Sequence, residues 1–344
     1  MNNTNLEQIA SSRKLQIRNS KNFRNGKFQN LNLTPAITEG YSYSRILYEF
    51  FFKKNPRRLP RVPIPSVKTN LLSLTPNEDI LVWFGHSSYF IQLDGKRILV
   101  DPVFSGNASP IANSNKSFPG SDIYTVQDLP NIDYLIITHD HYDHADAITL
   151  KQLPQKTTKV ICGLGVGTYL EKWGFHSGQL IERDWNETID LNDGFTFHTL
   201  PARHFSGRGL VRNNTLWMSV MMLTPSMKIY IGGDSGYDTH FADIGEQFGP
   251  IDLAILENGQ FDVKWKYIHM LPDEVLKAST DLQAKKLFPV HSSKFAMANH
   301  AWDYPLEKLS QLNESVGLAM ITPMIGEKVM LKDKNQQFMR WWED

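Results

Sequence analysis

The sequence predicts an α/β chain of the α+β kind in four layers, αββα: two β-sheets face to face, helices on both outer faces, and a polar site at one edge of the seam. Three observations carry this expectation. Short β-patterned runs recur from Ile80 to Val290, with helical patterns in both halves. Residues able to do chemistry stand just past the ends of four of those runs. Apolar residues make up 41% of the 344, enough for a sizeable core.

Taken in order, residues 1–35 are rich in Asn, Lys and Arg and predict an extended lead. Tyr43–Phe52 carries apolar residues at 46, 47, 50 and 51, the spacing of a helix with one greasy face. Two readings stand for it: a helix packed on the core, or a lid facing lipid. Lys53, Lys54, Arg57, Arg58 and Arg61 follow, and the prolines of Leu59–Pro65 predict an extended connector. The expected division is a basic N-terminal extension with one amphipathic helix over 1–75 and a main domain over 76–344. Strands are predicted at Ile80–Phe84, Tyr89–Leu93, Arg97–Val100, Tyr134–Ile137 and Lys159–Cys162. A second set is predicted at Phe195–Leu200, Trp217–Leu223, Lys228–Ile231, Asp252–Leu256 and Lys286–Val290. Asp94-Gly95 predicts a tight hairpin turn. Helices are predicted at Ala145–Lys151, Gly167–Trp173, Asp238–Phe248 and Pro272–Gln283. Gly163-Leu-Gly-Val-Gly167 lacks dinucleotide-binding spacing, so no organic cofactor site is expected.

After the strand at Tyr134–Ile137 comes His139-Asp-His-Tyr-Asp-His144, an H-x-H-x-D-H run. Imidazole and carboxylate suit zinc, and also iron or manganese. His139 and His141 can face one ion, and Asp143 and His144 a second. Each ion needs more donors than one loop supplies. His204, Asp234 and His291 also sit just past strands and complete a set at one rim, with glycines around Asp234 allowing a sharp turn. Asp101, which ends a neighbouring strand, is a candidate to orient a ligand imidazole. His86 also follows a strand and is expected to make hydrogen bonds in the core.

This order of residues resembles the metallo-β-lactamase superfamily. Within it the chain is similar to the phospholipase D family that hydrolyses N-acyl-phosphatidylethanolamines, with its bacterial relatives, from about Leu81 to Met324. The segments that carry the closer resemblance include Trp83–Ser88, Asp101–Pro110, Arg203–Arg208, Gly233–Tyr237, Phe248–Ala254, Trp265–Met270 and His291–Ala296. The resemblance implies the metallo-β-lactamase sandwich. It implies that His139, His141 and His204 hold a first metal, that Asp143, His144 and His291 hold a second, and that Asp234 bridges them. Asp143, Asp234 and His269 are the catalytic residues it implies, with His269 lining the substrate site. Two divalent ions are expected, zinc first, then iron or manganese. Ser293-Lys294 replaces the Gly-Thr usual in the relatives, so a more basic floor is expected near His291.

The expected function is a metal-dependent hydrolase: a phosphodiesterase acting on a phospholipid such as N-acyl-phosphatidylethanolamine. In that chemistry two ions roughly 3.5–4 Å apart yield a bridging hydroxide that attacks phosphorus. Phe205, Trp217, Tyr237, Trp265, Tyr267 and Phe295 are candidates for an acyl-binding wall, with core the rival reading for most of them. A lactonase or sugar-phosphate hydrolase on the same centre is the alternative, and would need a compact polar pocket. A nuclease fits poorly, because residues 69–344 hold 23 Lys/Arg against 33 Asp/Glu. With all seven expected ligands present, a non-catalytic binding protein fits less well still.

Net charge is zero but uneven: residues 1–68 hold 13 Lys/Arg and 3 Asp/Glu. Such a segment can clamp onto its own acidic body or touch an anionic membrane, and the clamp is the favoured reading. Partners are otherwise a small-molecule or lipid substrate, and no nucleic acid. The single cysteine, Cys162, reads as core. With no signal pattern and no run of about 18 apolar residues, a cytoplasmic, at most membrane-peripheral, location is expected.

Overall fold

A computed structural model describes residues 3–343 except Leu210; the side chains of residues 3–10, Phe50 and Phe51 lie outside the described set. The main body is two seven-stranded sheets. The first contains β3 (Ile80–Trp83), β4 (Tyr89–Leu93), β5 (Lys96–Val100), β6 (Ile132–Ile137), β7 (Thr157–Gly163) and β8 (Leu180–Arg183), with β16 (Lys328–Met330) beside β3. The second contains β9 (Glu187–Asp190), β10 (Thr196–Leu200), β11 (Ser219–Leu223), β12 (Lys228–Ile231), β13 (Leu253–Glu257), β14 (Lys286–Val290) and β15 (Ala319–Met320). Each sheet is antiparallel over its first four strands and parallel over the rest, so β5 occupies the place in one that β12 occupies in the other. Helices α3 (Ala147–Leu150), α4 (Gly167–Lys172), α5 (His240–Phe248), α6 (Pro272–Asp281) and α7 (Tyr304–Val316) complete the body.

Period-two alternation builds the layers. Ile229, Ile231 and Ile255 face the other sheet and join Phe90, Leu99, Ile136 and Ile161 in the inter-sheet core. Their neighbours Tyr230, Ala254 and Leu256 face outward, where Phe241, Ile244, Val275 and Leu309 of α5, α6 and α7 cover them. Asp94 and Gly95 both take positive φ, 48° and 78°, as a two-residue hairpin requires. Trp217 and Met218, predicted as strand, precede β11. The edge strands β8, β9, β15 and β16 and helix α7 escaped prediction. Edge segments such as Glu-Thr-Ile-Asp in β9 are half-solvated and carry little apolar signal.

The N-terminal region departs from expectation. It holds two helices rather than one, α1 (Asn3–Asn19) and α2 (Tyr43–Phe52), and between them a hairpin of β1 (Phe23–Arg24) and β2 (Lys27–Phe28). A helix with so few apolar residues gains little from its own sequence and depends on docking. Arg13 supplies the dock: its guanidinium pairs with Glu182 and, at 2.9 Å, with Glu171; Arg13 and Glu182 are largely buried and Glu171 half-buried. Among the described residues no helix is long and apolar enough to cross a membrane.

Replacing Arg13 by Met leaves Glu182 buried without its cation and is expected to cost about 3–5 kcal/mol of folding free energy. Urea unfolding of the two proteins measures this, and a loss below about 1 kcal/mol, the worth of an exposed pair, would show that Arg13 does not anchor α1.

Candidate metal centre

The parallel alignment of β3, β5, β6, β10, β12, β13 and β14 brings their carboxyl ends to one rim. The loops that leave those ends carry His86, Asp101, His139 to His144, His204, Asp234 and His291. The rim is conformationally demanding: His86, Asp101, Gln260, His291 and Ser293 all take positive φ without being glycine. Gly233, with φ +61°, makes the turn into Asp234, where a Cβ would lie 3.0 Å from the Met218 carbonyl oxygen.

All seven predicted metal ligands converge. His139 Nε2 and His141 Nδ1 lie 2.9 Å apart, and His204 Nε2 lies 3.2 Å from the same His141 nitrogen. Beside this three-histidine set, Asp143, His144, His291 and His86 bring donor atoms within 4.8 Å of one another. Asp234 stands between: its Oδ2 is 3.2 Å from His144 Nε2, 3.8 Å from His204 Nε2 and 3.9 Å from His139 Nε2, while Oδ1 is 3.1 Å from His291 Nδ1.

Outer partners fix the ring orientations. His144 Nδ1 faces Asp101 Oδ2 at 2.8 Å, and Asp101 also accepts from the Thr138 N–H and hydroxyl. His204 Nδ1 donates to the Ile268 carbonyl at 2.9 Å, leaving Nε2 as the free donor atom. Ser87 Oγ lies 2.9 Å from His291 Nδ1. His86, expected only to bond in the core, holds Asp143 Oδ2 at 2.9 Å through Nε2. The N-terminal lead enters as well: Asn30 donates to the His204 carbonyl and accepts from its N–H.

The donor set fits divalent cations. Burial pulls His139, His204 and His291 well below the ordinary imidazole range, which keeps them neutral with lone pairs free. Burial also opposes charge on His144, but Asp234, Asp143 and Asp101 outweigh it and hold this ring protonated in the metal-free chain. Burial pushes Asp143 and Asp234 up, yet His144 and neighbouring imidazoles pull both well below the usual carboxylate range. Buried negative charge thus exceeds what one imidazolium offsets, and His144 Nε2, Asp234 Oδ1 and His291 Nε2 have no hydrogen-bond partner. Neutral imidazoles, ionised carboxylates and unpartnered donor atoms facing a common point are what a metal site presents.

His269 lies beside this cluster, its ring centroid 5.2 Å from those of His204 and His291. Its Nδ1 donates to Glu257 Oε2 at 2.6 Å, and Glu257 also accepts from the N–H groups of Ser235 and Met270. Burial disfavours the His269 cation, but the charge and hydrogen bond of Glu257 overcome it and carry the ring up to about 9. Burial carries Glu257 itself up to about 7 against the opposing pull of His269. Glu257 went unnoticed in the sequence because it closes an apolar strand, Leu-Ala-Ile-Leu-Glu, as an ordinary last residue would.

A cavity of about 260 Å³ opens over the cluster. Its floor includes His141, Asp143, His204, Asp234, His269 and His291. Its walls are Ala36, Ile37, Tyr43, Ile46, Phe205, Trp265, Ile268 and Met297, with Arg212 and Gln260. Of the predicted aromatic wall, only Phe205 and Trp265 line it; Trp217 and Phe295 are buried in the core. The expected basic floor is absent too. Lys294 is buried away from the cavity, donating to the carbonyls of Phe84 and Val103 and pairing with Asp122 at 2.9 Å.

Residues 96–292 match the family model described as beta-lactamase superfamily domain. An uncharacterized protein of Mycobacterium tuberculosis is 35% identical over 316 residues, covering 90% of this chain and 84% of that one. The N-acyl-phosphatidylethanolamine-hydrolyzing phospholipase D 1 of Caenorhabditis elegans is 29% identical over 330 residues, 87% of each chain. Among solved structures, the metallo hydrolase Igni18 of Ignicoccus hospitalis superposes with a TM-score of 0.54 at 23% identity, covering 74% of this chain and 98% of that one, and shares the fold.

In the metal-free protein, NMR titration of His269 is expected to give a pKa near 9. Glu257→Gln removes the charge and hydrogen bond that raise the ring most, leaving Asp234 and Asp143 to oppose burial, so the pKa should fall. An unchanged titration in that variant would show that Glu257 does not govern His269.

Proposed function

The chain belongs to the metallo-β-lactamase superfamily and is a metal-dependent hydrolase, and on that premise we propose that it is a dinuclear phosphodiesterase of the phospholipase D type acting on a phospholipid such as an N-acyl-phosphatidylethanolamine. One observation carries the reading: the His/Asp donor cluster forms the floor of a cavity whose walls are mostly apolar. A lactonase or sugar-phosphate hydrolase would call for a compact polar pocket. The similarity to phospholipases D supports the phosphodiester.

His139, His141 and His204 would hold one ion; Asp143, His144 and His291 the other; Asp234 would reach both. Zinc suits these ligands best, with iron or manganese next. Bound there, such ions would supply Lewis acidity toward a phosphoryl oxygen and a water acidified toward neutrality. The chain does the rest. Asp101 and Ser87 keep His144 and His291 in fixed orientations, so the donor set is preorganised. His269, held protonated by Glu257, donates a hydrogen bond to a phosphoryl oxygen and passes its proton to the departing alkoxide. Ile37, Ile46, Trp265, Ile268 and Met297 take up the acyl portion and exclude water.

For residues 1–68 we propose both roles at once. Arg13, Asn30 and Arg57, the last paired with Asp303, clamp the segment to the body, as does Thr38, whose N–H donates to the Lys264 carbonyl. Helix α2 turns Ile46 into the cavity wall while Leu47, 55% exposed, and Phe52, 75% exposed, face solvent beside Lys53 and Lys54. That outer face suits an anionic membrane.

Asp143→Ala should lower bound metal by one ion per chain and activity at least about 100-fold. Elemental analysis and turnover of a panel of phosphodiester, lactone and β-lactam substrates check both claims. Full activity with a single ion would exclude the dinuclear reading, and lactone turnover without phosphodiester turnover would exclude the reaction.

Intact protein should bind phosphatidylglycerol vesicles less as salt rises, because charges beyond about 10 Å are screened at 0.1 M. Replacing Leu47 and Phe52 together by Glu should weaken that binding, while turnover of a soluble diester stays within about twofold. Equal vesicle binding by the variant would remove α2 from the contact.

A further inference from the structure

We infer that Arg208 is a positioning residue that staples together the two loops from which the three-histidine donor set is drawn. The inference rests on the metal reading above. His139 and His141 come from the loop after β6, and His204 comes from the loop after β10. The two loops are far apart in sequence, yet His139 Nε2 and His204 Nε2 lie 2.9 and 3.2 Å from the same His141 nitrogen.

Arg208 belongs to the His204 loop and reaches across to the other. One guanidinium nitrogen donates to two carbonyls of that loop, Asp140 at 3.0 Å and Ala145 at 2.6 Å. These two residues bracket His141, Asp143 and His144. The guanidinium lies over the ring of Tyr142, 4.1 Å from its centroid, and 4.7 Å from that of Trp173 just past α4. Its partners are therefore carbonyl oxygens and aromatic faces from the loop and the helix behind it. Asp140 reinforces the staple from its side chain: Oδ1 accepts from the Gly207 N–H at 2.8 Å, and Oδ2 from the Thr215 hydroxyl at 3.0 Å. Asp140 lies between His139 and His141, so its backbone and side chain are both held by the His204 loop. A planar, doubly stacked guanidinium sets this spacing in a way that a flexible ammonium does not.

The test uses zinc as the probe and the full chain. Arg208→Lys, Arg208→Leu and Trp173→Leu are compared with the parent by a two-step zinc titration against a chromophoric chelator, and by metal-free melting temperature. The expected result is that one zinc step weakens about 10–100-fold in Arg208→Lys and Arg208→Leu, and less in Trp173→Leu, while the other step is unchanged. On a turned-over diester, kcat should fall with KM kept. Parental affinity at both steps in both Arg208 variants would overturn the inference. So would equal weakening of both steps in proportion to a lowered melting temperature, the mark of a merely structural residue. Should Arg208→Leu fail to fold, Arg208→Lys and Trp173→Leu carry the comparison. The titration needs no substrate, so a failure of the proposed reaction is told apart from a failure of the staple.

Discussion

Electrostatics governs the rim: Asp101, Asp143 and Asp234 are buried there among imidazoles, and of these rings His144 and the neighbouring His269 are held protonated. Burying unmatched charge costs several kcal/mol per ion. The fold meets that cost with donors aimed at each carboxylate. Thr138 and His144 serve Asp101, His86 serves Asp143, and the charge of His144 offsets Asp234, whose Oδ2 lies 3.2 Å from it. Strand-end residues with positive φ are the backbone counterpart of the same demand, because ordinary turns would point these side chains elsewhere.

The two sheets share one plan, and the plan explains where the chemistry lies. Asp101 follows β5 and Asp234 follows β12, strands that hold equivalent places in their sheets. One of the paired carboxylates steadies a histidine, and the other stands among the donors. The N-terminal lead, outside that symmetry, adds what the sheets lack: Ile37, Tyr43 and Ile46 wall the cavity, and Asn30 grips the backbone of His204.

Much of the centre was legible in the sequence because its richest part is contiguous. H-x-H-x-D-H places four donors on one loop, and the position just past a strand singled out His204, Asp234 and His291. The succession of β-patterned runs, with helical patterns in both halves, likewise pointed to two packed sheets. What stayed hidden depends on direction rather than composition. Ser293-Lys294 predicts a basic floor, but the positive φ of Ser293 accompanies a chain path that buries Lys294 against Asp122. Glu257 and Arg208 act across distances of many residues and stand in runs that read as strand end and loop. His269 came into view only through the family resemblance. Helix α1 was missed because its stability lies in Arg13 and its distant carboxylates rather than in its own side-chain pattern.

Asn30 and His204 are separated by 174 residues yet exchange two hydrogen bonds. That separation has a temporal meaning on the ribosome. At roughly 5–20 residues per second, about 10–35 s pass between synthesis of Asn30 and synthesis of its partner. Throughout that interval the basic, aromatic lead has been made and its seat has not. The three-histidine set is in the same position, since His139 and His141 precede His204 by more than sixty residues. Assembly of the rim is therefore a late event in the life of the nascent chain. A lead made before the strands of the body finds its seat only once β10 and the loop beyond it exist.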